Sequence, residues 1–177
     1  ISYNITDAID NQIRTMNAIS EKYELPQTME NLKNNFFIVT GTGCRMRYVH
    51  SDPMNNAAII RISADGTYYE IIAEKNIKPT SELPSHLLIH NVILGKGRKI
   101  KTVIHTHPIE LVAMTHNPDF LGKDVLSKLL WSMIPETRAF CPKGVGIVPY
   151  ALPGSMELAQ KTVEQLDDYD VVLWEKH

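Results

Sequence analysis

Cysteine is scarce in this 177-residue chain: only Cys44 and Cys141 occur. Two thiols cannot build a disulfide framework, so a reducing compartment is expected and the fold must rest on burial. Charge of one sign is also missing. With 18 Lys plus Arg against 20 Asp plus Glu, the formal charge is −2. That balance argues against a dedicated nucleic-acid surface or a polybasic membrane patch. No apolar run approaches the roughly 18 residues that a transmembrane helix needs. Repeats, low-complexity tracts and an obvious linker are lacking too. These absences lead us to expect one domain over residues 1–177 in the cytoplasm, with no nucleic-acid partner and no membrane partner. What is present is ordinary globular usage, 44% hydrophobic and 21% charged, enough for a sizeable core. There is no initiator Met, and the chain stops at Trp174-Glu175-Lys176-His177, directly after an apolar run. From this we expect part of a longer protein.

Periodicity supplies the elements. Ile1, Tyr3 and Ile5 alternate with polar residues as in a short strand. Asp7 is placed to cap a helix through Ile9, Ile13 and Met16, and residues 28–34 have room for a helical turn. The run Phe36-Phe37-Ile38-Val39-Thr40 ends at Gly41-Thr42-Gly43, which predicts a buried strand entering a tight loop. Residues 57–63 and 67–73 flank Ala64-Asp65-Gly66 as a hairpin. Thr80-Ser81-Glu82-Leu83-Pro84 predicts a hydroxyl-capped helix with Leu83, Leu87 and Leu94 on its apolar face and Gly95 as its stop. Residues 99–107 read as a strand, followed by helices from Pro108 and over 123–131. A strand over 144–148, a helix capped by Ser155 and a strand over 170–174 close the chain. Hairpins first and strand–helix alternation later predict a layered α/β domain with a central mixed, largely antiparallel sheet flanked by helices.

The chemistry concentrates around His105-Thr106-His107. Two apart on a strand, both imidazoles face one way and can share a metal ion. The competing reading is a pair of solvent-facing histidines at a strand end. A third ligand stays open on pattern alone: His177, at the end of the last strand, competes with His50, His86, His90 and His116. His86 and His90 share a helix face, yet no Glu stands between them, and core polar packing is the simpler reading. Glu82, beside Thr80 and Ser81, is either an ordinary acidic residue at a helix start or a proton acceptor next to an anion pocket. The 41–43 loop offers backbone donors, though a short glycine loop alone is a weak phosphate signal.

Taken together, Phe37-Ile38-Val39-Thr40-Gly41-Thr42-Gly43, residues 79–86 (Pro79-Thr80-Ser81-Glu82-Leu83-Pro84-Ser85-His86), His105-Thr106-His107 and Leu173-Trp174-Glu175-Lys176-His177 resemble the zinc-dependent class II aldolase family. Leu130-Trp131-Ser132 and Gly144 to Pro149 fit as well, so the resemblance spans essentially the whole chain. It implies that His105, His107 and His177 are ligands of Zn²⁺ and that Glu82 is the catalytic acid/base. Thr42, Gly43, Thr80 and Ser81 would hold the phosphate of a phosphorylated ketose. Order and spacing lie nearest the branch that cleaves L-rhamnulose 1-phosphate to dihydroxyacetone phosphate and L-lactaldehyde, with L-fuculose 1-phosphate as the stereoisomeric alternative. The resemblance further implies a homotetramer with interface active sites, where Glu136 reaches the aldehyde end from a neighbouring subunit. Glu136 also reads simply as a solvated residue after Pro135. The family's asparagine-bearing loop before the first strand, its glycine after the third histidine and its C-terminal helices are not in this sequence. The expectation is therefore the central portion of the enzyme, weak or inactive by itself. Two other readings remain. A JAMM-type zinc metalloprotease would use Glu82, His105, His107, Pro108 and Asp119, but His116 stands where its serine belongs. A non-catalytic scaffold like the adducin head would share the fold and lack the histidines.

Overall fold

The computed structural model describes residues 1–72, 75–122 and 124–177, in two compact units, 1–105 and 106–177. The predicted end of the second hairpin strand at Ala73 and the predicted helix start at Lys123 lie outside the described residues.

The first unit contains β1 (Ser2–Asn4), α1 (Asn11–Arg14), β2 (Tyr23–Glu24), β3 (Phe36–Thr40), α2 (Met46–Val49), α3 (Pro53–Asn56), β4 (Ala57–Ile62), β5 (Tyr68–Ile71), α4 (Leu83–Gly95) and β6 (Thr102–Val103). Its strands form one sheet in the order β2-β5-β4-β3-β1-β6, every pair antiparallel. The period-two pattern of β4 sends Ala58, Ile60 and Ile62 inward, where Phe37, Ile71 and Leu87 are also fully buried. Helix α4 buries Leu83, Ser85, His86, Leu87, Leu88, His90 and Ile93, which is more than one stripe and marks an interior helix.

Two expectations needed correction here. The strand predicted over 99–107 is only the two residues of β6, because its partner β1 is three residues long and the ladder ends with it. The cap of α1 is Asp10, whose Oδ1 accepts from the Ile13 N–H at 2.9 Å, while Asp7 pairs with Lys101 instead. Helix α4 ends at Gly95 as expected, and Gly97 just beyond it is left-handed, φ +65°, a conformation only glycine adopts cheaply.

The second unit contains α5 (Ile109–Met114), α6 (Val125–Met133), α7 (Pro135–Phe140), β7 (Val145–Val148), α8 (Met156–Gln165) and β8 (Val171–Trp174). Strands β7 and β8 pair in parallel as a separate two-stranded sheet, joined through α8. The Ser155 cap is as predicted, its Oγ accepting from the Leu158 N–H at 3.1 Å. Val148, Ala151 and Leu158 form the small core, with Val172 and Trp174 packed on it. No described helix is long and apolar enough to cross a membrane.

Candidate active site

In the first unit the fold brings the 41–43 loop and the 78–82 segment side by side. Gly41 bridges Pro79, the Thr42 N–H donates to the Lys78 carbonyl at 2.9 Å, and the Thr80 N–H donates to the Thr40 carbonyl at 3.0 Å. Of the backbone donors expected in the 41–43 loop, the Thr42 N–H is committed to stitching the two segments together and the Gly41 N–H donates to the Asn56 carbonyl at 2.9 Å. Gly43 holds the turn in the left-handed region, φ +71°. Thr42, Gly43 and Ser81 are exposed, and Thr80 is half-buried. The Thr80 hydroxyl accepts from the Glu82 N–H at 3.3 Å, so it closes the turn ahead of α4 rather than capping the helix itself.

Glu82 stands at the N-terminal edge of α4, only 7% exposed. Its carbonyl accepts from the His86 N–H at 3.1 Å as the helix starts, which puts Glu82 and His86 on one helix face. His86 and His90 are buried, as core packing required. Both meet one hydroxyl: Ser2 Oγ lies 2.8 Å from His86 Nδ1 and 2.9 Å from His90 Nε2. Burial above all holds both imidazoles neutral, pushing His86 down to about 3 and His90 to about 4. Ser2, 84 residues from His86, carried no local signal of this role. The His86 ring is stacked alongside that of His105, centroids 6.5 Å apart at 29°.

His105 is the last residue of the first unit, on an irregular stretch past β6 rather than within a strand. Thr106 and His107 open the second unit, in which His107 and His177 do come together. Their ring centroids are 5.1 Å apart and their ligand nitrogens lie within 4.8 Å of each other. The tail that carries His177 is tied at each step. Glu175 N–H donates to Val148 O at 3.0 Å, Lys176 N–H to Thr115 Oγ1 at 2.8 Å, and Trp174 packs edge-on against His177 while its Nε1–H donates to Thr162 Oγ1 at 2.8 Å. Glu136 is exposed in the first turn of α7. Asp119 lies in the Pro118–Phe120 turn, its N–H donating to Asn117 Oδ1. His50 and His116 are exposed and outside any metal-ligand grouping among the described residues.

The pattern of the family described as Class II Aldolase and Adducin N-terminal domain matches residues 13–177, and the chain belongs to that family. Among its relatives, the rhamnulose-1-phosphate aldolase of Bacteroides thetaiotaomicron is 54% identical over 177 residues, covering 100% of this chain and 66% of that protein. The rhamnulose-1-phosphate aldolase of Klebsiella pneumoniae is 36% identical over 156 residues, 86% of this chain and 56% of that protein. The chain thus spans just under two thirds of one relative and just over half of the other. The crystal structure of a sugar-phosphate aldolase from Thermotoga maritima superimposes with a TM-score of 0.79 at 32% identity, covering 99% of this chain and 71% of that one.

Proposed function

We propose that the protein is a zinc-dependent aldehyde-lyase that reversibly cleaves L-rhamnulose 1-phosphate to dihydroxyacetone phosphate and L-lactaldehyde. The observation that carries this reading is the pairing of His107 with His177, with His105 tethered to His107 through one residue. Three neutral imidazoles suit a catalytic zinc, since they leave its charge uncompensated and one coordination position open. When bound, the ion supplies Lewis-acid polarisation of the ketone carbonyl. The 54% identity to a rhamnulose-1-phosphate aldolase supports the choice of substrate.

The remaining work falls to side chains of this chain. As the C4 hydroxyl gives up its proton to water and C4 becomes the aldehyde carbon, the C3–C4 bond breaks and leaves its electron pair on C3, delocalised onto the carbonyl oxygen. C3 then takes a proton, and Glu82 is the group we assign to deliver it and to remove it in the reverse direction. Seclusion of Glu82 at the start of α4 supports that role over a solvated helix-end acid. The Thr80 and Ser81 hydroxyls, with Thr42 and Gly43 across the Gly41–Pro79 bridge, would grip the phosphate and fix the scissile bond. Glu136 is assigned to the aldehyde end, offered from a second copy of the chain in a cytoplasmic homotetramer.

A coupled dehydrogenase assay for dihydroxyacetone phosphate, run on L-rhamnulose 1-phosphate and L-fuculose 1-phosphate, tests the reading. Faster turnover of the first sugar is expected. Preference for the second would move the assignment to the stereoisomer, and no aldol cleavage alongside peptide or isopeptide cleavage would overturn it. Sedimentation of the same preparation tests the tetramer.

A further inference from the structure

The buried set under the start of α4 is more than core packing. Ser2 carries one hydroxyl proton and meets two imidazoles, so it donates to one and accepts from the other. His90 Nδ1 is buried with no hydrogen-bond partner. If the Ser2 proton went to His90 Nε2, that orphan nitrogen would carry an N–H, and buried orphan donors are rarer than under-satisfied acceptors. The cheaper arrangement has His90 Nε2–H donating to Ser2 and Ser2 O–H donating to His86 Nδ1. His86 is thereby fixed as the tautomer protonated on Nε2, with its ring plane held by a bond on one edge. That fixed ring is the one stacked beside His105.

We propose that Ser2 and His86 form the supporting layer of His105: His86 is a positioning residue that holds the His105 imidazole in the orientation from which it binds metal. The proposal rests on His105 being a metal ligand, as assigned above. It explains why polar side chains occupy the interface of β1 and α4, where apolar residues would pack at lower cost. Groups behind a ligating histidine typically govern metal affinity by about 10–100-fold. His90 provides the internal control, because it shares the Ser2 hydroxyl but its ring packs on Phe37, centroids 4.8 Å apart, rather than on His105.

The test uses the purified protein and reads zinc affinity by chelator competition, together with the visible absorption of the Co²⁺-loaded form. His86→Gln keeps a partner for Ser2 and removes the ring beside His105; zinc affinity is expected to fall about 10–100-fold with a changed Co²⁺ spectrum. Ser2→Ala leaves both rings in place and should weaken binding in the same direction by less. His90→Phe should lower the thermal midpoint of the metal-free protein and weaken zinc binding by less than His86→Gln, because the Ser2 O–H can still donate to His86 Nδ1. Wild-type affinity and spectrum in His86→Gln would overturn the proposal, as would an equal loss in His90→Phe, which would mark general loosening of the core. If His86→Gln does not fold, Ser2→Ala decides alone, and its unchanged affinity and spectrum overturn the proposal. His107→Ala separates the two readings: zinc lost there but unaffected in His86→Gln removes the supporting role alone, whereas no zinc dependence on His107 removes the metal reading and this proposal with it.

Discussion

The two units solve burial differently. In the first, six strands and an interior helix enclose a core deep enough to hold Ser2, Glu82, His86 and His90 away from water. In the second, one parallel pair and α8 enclose Val148, Ala151 and Leu158, while Phe140 remains 84% exposed and Ile109 79%. Parallel strands are normally covered on both faces, yet β8 is half-buried to exposed along its length. The lesson concerns where precision can come from. A polar group in the first unit is fixed by its surroundings. His177, in the second, depends on a few specific bonds from Thr115, Val148 and Trp174.

The sharpest break of that comparison is at the two carboxylates. Glu82→Gln should lower turnover by about 10²–10⁴-fold while zinc content is kept, since a positioned acid/base is typically worth that much. Glu136→Gln, at an exposed helix start, should cost much less. Steady-state rates beside metal analysis of both variants check this, and near-normal turnover in Glu82→Gln would reduce it to a helix-end residue.

Next in size is packing. Phe37→Ala in the first core should destabilise by about 3–5 kcal/mol in urea unfolding. Phe140→Ser should stay within about 0.5 kcal/mol, the usual range for surface changes. Similar losses in both would show that the second unit is packed more firmly than its exposed side chains imply.

A smaller effect should come from pH. His86 and His90 titrate in the folded chain at about 3 and about 4, below the ordinary 6.5 of an unfolded histidine. The unfolded state therefore takes up protons first. Stability should be complete well above pH 6.5 and decline as pH falls through that value towards about 4 for His90 and about 3 for His86, by on the order of 1 kcal/mol per histidine at pH 5.5. Amide exchange of α4 between pH 7.5 and 5.5 reads the first unit, while fluorescence of Trp131 and Trp174 reads the second. His90→Phe should remove about half of the slope in α4, and a flat profile in the wild type would contradict the burial of these rings.

Compact signals were legible in the sequence. The apolar run of β3, the alternation of β4 and the Ser155 cap each carry their instruction within a few residues. His105-Thr106-His107 and the segment from Thr80 to Glu82 stood out as patterns, but the first lies past β6 rather than within a strand and the Thr80 hydroxyl closes a turn rather than capping α4. What escaped depends on pairing at a distance. Tyr23–Glu24 and Thr102–Val103 are too short to show a period, and β6 ends where β1 ends, a limit written about a hundred residues away. α2, α3 and α7 are four to six residues long and below the length at which helical spacing repeats. The Lys78 and Asn56 carbonyls take the Thr42 and Gly41 N–H groups that looked available to an anion, and Ser2 gave no signal at all.

The central claim is that the tail of the second unit delivers a metal ligand, and zinc stoichiometry of wild type against His177→Ala tests it most directly. One tightly held zinc per chain is expected in the wild type and its loss on chelator challenge in His177→Ala, with the folded core of the first unit intact by amide exchange. Equal zinc retention in the two proteins would contradict it.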